Sequence, residues 1–163
     1  MSRQFWTFLI VGVGVVAVAL VGILWVNKGS HLELTGKILK VRTLSVEQNA
    51  TILAIDFRVT NVASYPYMIR EARVTMDTKD GKTLDAMTIS RVDTDRVFEF
   101  YKVLGPKYNQ TLIQRDQIAP HQTTDRMLAV RVEAPLAAVD GRKNLHLVLD
   151  EADGATSELS EIP

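Results

Sequence analysis

The chain has no cysteine among its 163 residues, which removes disulfides, thiolate zinc sites and cysteine nucleophiles together. That fits a bacterial periplasmic domain with a sufficient core better than a small secreted eukaryotic one. Net charge is also missing. The 19 Lys and Arg residues balance 19 Asp and Glu, so no domain-wide basic face is expected and a nucleic-acid partner is not. Histidine is scarce: His31, His121 and His146 fall in a linker, a turn and a strand pattern, with no spacing that would gather metal ligands on one element. Each reads as a solvated side chain. The sequence contains no Gly-rich phosphate loop, nucleophile elbow or dinucleotide fingerprint, and the acids of "RVDTDR" and "LDEADG" lack the alternating ligands of a calcium loop. No catalytic residue, cofactor site or metal site is therefore assigned, and a non-enzyme is expected.

One long apolar run stands against these absences. "FWTFLIVGVGVVAVALVGILWV", Phe5 to Val26, contains no charged residue, and as a helix rising about 1.5 Å per residue it is long enough to cross a hydrocarbon layer of about 30 Å. Phe5, Trp6 and Trp25 stand at its ends, where aromatic rings favour the interface. A cleaved signal peptide is the competing reading, with Ala17-Val18-Ala19 as the small-x-small site. It would leave Leu20 to Val26 as an apolar new N-terminus, so an uncleaved anchor is expected. Orientation has two readings. Lys28, Lys37, Lys40 and Arg42 after the run outnumber Arg3 before it, which favours a cytoplasmic C-terminal domain. Long domains translocate largely regardless of charge, and the short N-terminus suits a signal anchor, so the domain is placed outside the inner membrane. The expected order is a short tail 1–4, a transmembrane helix 5–26, a linker 27–33, one domain 34–152 and an acidic C-terminal tail 153–163.

The domain reads as strands. In "ATILAIDFRVTN" Leu53, Ile55, Phe57 and Val59 alternate with Asp56, Arg58 and Thr60, the period of a half-buried strand. Met68, Ala72, Val74 and Met76 fall on one face of the next stretch, and Asp80-Gly81 marks a hairpin turn before Thr83–Ile89. Leu128, Val130 and Val132, then Leu145, Leu147 and Leu149, point inward in two later strands, and Gly36–Val46 reads as an edge strand. Short strands with turn chemistry between them predict an all-β antiparallel sandwich.

Two stretches interrupt the rhythm. Between Asn61 and Tyr67 the chain leaves the sheet, since Asn61 and Ser64 can bond local backbone and Pro66 cannot donate to a ladder. Tyr65 and Tyr67 are then either partly packed or an exposed aromatic contact. In "SRVDTDRVFEFYKVLGPKY" Val97, Phe100, Tyr101 and Leu104 recur at helical spacing, with Asp93, Thr94 and Asp95 as cap and first-turn acids and Gly105-Pro106 as a stop. One short helix is expected, either as a lid on the core with Phe98 pointing away or as an exposed partner surface. The candidate partner residues are Tyr65, Tyr67, Phe98, Phe100, Tyr101 and Tyr108.

The stretches "LAIDFRVTNVASYPYMIREARVTMDTKDGKTL" and "IAPHQTTDRMLAVRV" resemble bacterial membrane-anchored domains of unknown function with an immunoglobulin-like fold. They are more distantly similar to the water-stress and hypersensitive-response domain of late-embryogenesis-abundant proteins. The shared pattern is a strand ending in Thr-Asn, a Pro-containing corner, an Asp-Gly hairpin and a Pro-x-x-Thr turn, spanning about Leu34 to Leu149. His121 stands where that turn more usually has Gly. The resemblance implies an immunoglobulin-like fold and an extracytoplasmic setting, with no catalytic residues. The expected function is a membrane-tethered binding or assembly-accessory module acting on another envelope protein; the alternative is a stress-protective stabiliser of membranes or client proteins.

Overall fold

A computed structural model of the chain describes residues 12–19, 21–22, 33–152 and 154–161. The chain divides into two compact units, Met1–His31 and Leu32–Pro163. In the first, residues 12–19 and 21–22 are helical, and Val13, Val15, Val16, Val18 and Val21 are exposed. Among the described residues no helix is long and apolar enough to cross a membrane; most of the span expected over 5–26 lies outside them, as do the tail 1–4 and residues 27–32 of the linker.

The second unit is built on strands: β1 (Leu34–Glu47), β2 (Ala50–Asn61), β3 (Tyr67–Asp77), β4 (Thr83–Thr88), β5 (Gln117–Ile118), β6 (Thr123–Val132), β7 (Asn144–Glu151) and β8 (Thr156–Ser160), with helices α1 (Arg91–Phe100) and α2 (Leu136–Asp140). The strand pairs are antiparallel and join in the order β1-β2-β6-β4-β3-β7-β8, with β5 on β3. The all-β antiparallel expectation is met. The two layers expected of a sandwich, however, are one continuous sheet curled on itself. The turn of the curl lies at β4, which pairs through Thr83–Ala86 with β3 and through Ala86–Thr88 with β6.

The curl brings the terminal strands together. Leu34 N–H donates to Ser157 Oγ at 2.7 Å, and a Cβ added at Gly36 would lie 2.1 Å from the Arg58 carbonyl oxygen and 3.1 Å from Leu159 Cδ2. Strand β8 corrects the expectation of a C-terminal tail over 153–163: Ser157 and Leu159 are buried while Thr156, Glu158 and Ser160 are exposed. Only one of its inward side chains is apolar, too little for a strand signal. The other inward residue uses its hydroxyl to cap the backbone of β1.

Inside the curl, Leu53, Ile55, Phe57 and Val59 of β2 pack with Leu128, Val130 and Val132 of β6 and with Leu145, Leu147 and Leu149 of β7. These are the inward residues expected from alternation. Strand β3 departs from its expected phase. A bulge between Ile69 and Glu71 resets the alternation, so Tyr67 and Ile69 are buried ahead of it, Val74 and Met76 after it, and Met68 is not.

Candidate functional site

A second, smaller apolar cluster forms on the outer face of β1, β2 and β6, where Leu44, Ile52, Ala54 and Met127 meet Phe98 and Leu104 of the insertion. The insertion is a lid, lying on the outside of the sheet. It starts at Ser90, whose Oγ accepts from Asp93 N–H at 3.2 Å and whose hydroxyl contacts Asp93 Oδ2 at 2.7 Å. This N-cap, one turn earlier than expected, phases the helix so that Thr94 and Phe98 face the sheet. Phe98 is 7% exposed and Phe100 is 84% exposed, the reverse of the expected lid. The expectation carried one helix through Leu104; instead α1 ends at Phe100 and a 3₁₀ turn, Lys102–Leu104, follows, and the change of pitch returns Leu104 to the side of Phe98.

What holds the lid is a buried ion pair that hydrophobic patterning does not reveal. Arg42 of β1 donates through Nη2 to Asp56 Oδ2 of β2 at 2.7 Å, and their side chains are 9% and 5% exposed. Through Nη1 it also donates to the carbonyls of Leu104 and Pro106 at 2.9 and 2.8 Å. The guanidinium lies 4.9 Å from the Phe98 ring centroid and 5.5 Å from that of Tyr108. Asn109 Nδ2 donates to the second Asp56 oxygen at 2.8 Å. A buried charge is costly unless its partners satisfy it, and here those partners are Asp56 and the two carbonyls of the turn, so the turn's conformation is tied to the sheet. Lys107 further pairs with Asp95.

Held this way, the lid presents an aromatic surface. Phe100, Tyr101, Val103 and Tyr108 are exposed, Val103 by 80%, and the Phe100 and Tyr101 rings sit 5.7 Å apart at 59°. Two of the candidate partner residues leave the surface: Phe98 is under the lid, and Tyr67 is fully buried, its hydroxyl donating to the Leu149 carbonyl at 2.9 Å. Burial pushes the Tyr67 hydroxyl pKa up. Tyr65 is exposed but belongs to the corner after β2, where Asn61 accepts from Ala63 N–H and donates to the carbonyls of Tyr65 and Ile118. That corner stands at the Leu34 end of β1, whereas the lid covers Arg42 and Leu44, so Tyr65 is not part of the lid surface.

A half-open cleft of about 240 Å³ between β3 and β6, lined by Ile69, Ala72, Leu112 and Leu128, carries Glu71 as its one carboxylate. Among the described residues no group of three or more His, Asp or Glu side chains could hold a metal ion. His146, expected to be solvated, is held from both sides: its Nδ1 is 2.6 Å from Glu158 Oε1 and its Nε2 is 3.3 Å from Asp77 Oδ2.

No protein-family model and no curated protein matches the chain. Among solved structures it is similar to an uncharacterized β-sandwich protein from Clostridium difficile 630, at 12% identity and a TM-score of 0.39 over 78% of this chain and 85% of that one. It is also similar to a Bordetella pertussis protein bearing the provisional name ApaA, at 12% identity and a TM-score of 0.42 over 80% of this chain and 89% of that one.

Proposed function

We propose that the chain is a membrane-tethered, non-enzymatic binding module whose lid docks another envelope protein through Phe100, Tyr101, Val103 and Tyr108. The observation that carries this reading is the pairing of a large exposed aromatic surface with a buried anchor. Exposed apolar patches of this kind mark interaction sites, and aromatic side chains on a pre-organised element lose little entropy when a partner covers them. The Arg42 bonds to the Leu104 and Pro106 carbonyls supply that pre-organisation. The tether is the apolar run Phe5–Val26, and the exposed valines of the helical residues 12–19 and 21–22 suit a lipid surround. In this reading the run lies in a bacterial inner membrane, and the strand domain, of immunoglobulin-like kinship, faces the outer side. The non-enzymatic part rests on the sequence, which offers no nucleophile elbow, phosphate loop or metal-ligand spacing.

The test is site-specific photocrosslinking of the full-length chain in its native membrane. A crosslinker at Phe100 is expected to trap one defined partner band. One at Val62, exposed in the corner after β2 at the Leu34 end of β1, is expected to trap none. The Phe100→Ala, Val103→Ala double variant should lose co-purification of that partner while its stability stays within about 0.5 kcal/mol, the usual range for surface sites. Retained co-purification by the double variant would remove the lid as the docking surface.

A further inference from the structure

We propose that His146 is a pH-responsive clasp for the strand that closes the curled sheet: as an imidazolium it ties β8 and β3 to β7, and on deprotonation it releases one of the two. The geometry requires this. His146 lies in β7 with Thr75 of β3 and Ser160 of β8 as register partners, so its ring sits on the outer face between both neighbours. Asp77 reaches it from β3 and Glu158 from β8. An ionised carboxylate only accepts hydrogen bonds, and a neutral imidazole has one N–H to donate. Both contacts are therefore attractive only when both nitrogens carry protons. In either neutral tautomer one bare nitrogen faces a carboxylate oxygen, and the charge attraction to both groups disappears.

The other charged groups on this face do not substitute for the ring. Arg73 of β3 is paired with Asp150 of β7 at 2.9 Å. Arg142, before β7, is paired with Glu161 beyond β8 at 2.7 Å. Lys79 of the β3–β4 hairpin lies against Gly141, and Lys143 uses its backbone N–H on the Asp77 carbonyl. Thr83 of β4 donates to Asp77 Oδ1 at 2.7 Å, which keeps that carboxylate in place when the ring changes state. The electrostatics agree. Burial alone would push His146 down, but the bonds to Glu158 and Asp77 outweigh it and its pKa lies above the ordinary value. The Thr83 hydroxyl, and after it His146, hold the Asp77 carboxyl below the ordinary carboxylate value.

The raised histidine pKa sets the direction: the clasp is fully engaged below the unfolded-state histidine value and is lost as pH rises through the folded one. Its target is the closure itself, because β8 supplies both Ser157 Oγ to Leu34 N–H and Leu159 to the core beside Gly36.

Amide hydrogen exchange on the full-length chain across a pH series, corrected for intrinsic rates and combined with an NMR titration of the imidazoles, tests the clasp. The expected result is a His146 pKa above the ordinary value and a two- to five-fold fall in β8 protection as pH crosses it, about the size of one partly exposed ion pair. The step should vanish in Glu158→Gln and in His146→Gln and persist in His121→Gln. A His146 that titrates at or below the ordinary value, a wild-type protein without the step, or a step retained in Glu158→Gln would each overturn the proposal.

Discussion

Phe98 and Phe100 are two residues apart and have opposite roles, and the difference is helical phase. Two positions in an α-helix are about 200° apart, and the Ser90 cap fixes which of the two rings meets Leu44, Ile52 and Met127. Truncating Phe98 to Ala should cost about 3 to 5 kcal/mol, as buried Phe truncations do, measured as a loss in urea denaturation. Phe100→Ala should cost no more than about 0.5 kcal/mol. A large loss at Phe100 with little at Phe98 would mean that the helix is phased the other way. His121 belongs to the same scale. Its φ is +56°, in the left-handed region that glycine enters without penalty, which is why a glycine suits that turn. His tolerates this region better than most side chains.

At the scale of elements, β8 and its meeting with β1 deserve a direct test at Gly36. An added methyl would lie 2.1 Å from a backbone oxygen of β2, which cannot rotate away as a side chain would, and it would also press on Leu159. Gly36→Ala should therefore force β1 off β2 or away from β8. The expected cost is about 1 to 3 kcal/mol or more, the range for overpacked sites, with the Leu34 and β8 amides losing hydrogen-exchange protection ahead of those in β2 and β6. A fully stable Gly36→Ala protein would show that β1 does not approach Arg58 and Leu159 this closely. Elements whose central inward residues are apolar, such as β2, β6 and β7, are legible from alternation alone. Strand β8 is not, because half of its inward side is Ser157 and the reason for that serine lies at Leu34, 123 positions away in the sequence.

The whole molecule carries its charge as cross-strand pairs more than as a net field. Arg58 of β2 holds Asp125 of β6 in two hydrogen bonds of 2.6 and 2.8 Å, and these bonds keep the Asp125 carboxyl below its ordinary value. Asp77 is likewise lowered, first by Thr83. A depressed carboxylate contributes stability that is present above its unfolded pKa and is lost as pH falls through the folded value. The urea midpoint should therefore decline on acidification below about pH 4, and the decline should be shallower in Asp125→Asn. An unchanged acid limb in that variant would show that the Arg58–Asp125 pair contributes nothing to folding.

The sequence by itself determined the composition limits, the apolar run, the alternating strands with their inward residues outside β3, the corner at Asn61 and the presence of a short helix near Arg91, because each of these is written in local periodicity or turn chemistry. Tertiary structure alone decided which face of that helix is buried, since the phase depends on where the outer face of β1, β2 and β6 offers Leu44, Ile52 and Ala54. It decided that Arg42 and Asp56, the latter read locally as a polar outward position of its strand, are buried beneath the lid. It also placed a histidine between carboxylates from β3 and β8, 69 and 12 positions distant in the chain. Period and turn signals reach only a few residues along the chain. Pairing register, bulges and the closure of a curled sheet join residues with no local relation, and their side chains acquire partners only when the whole sheet has formed.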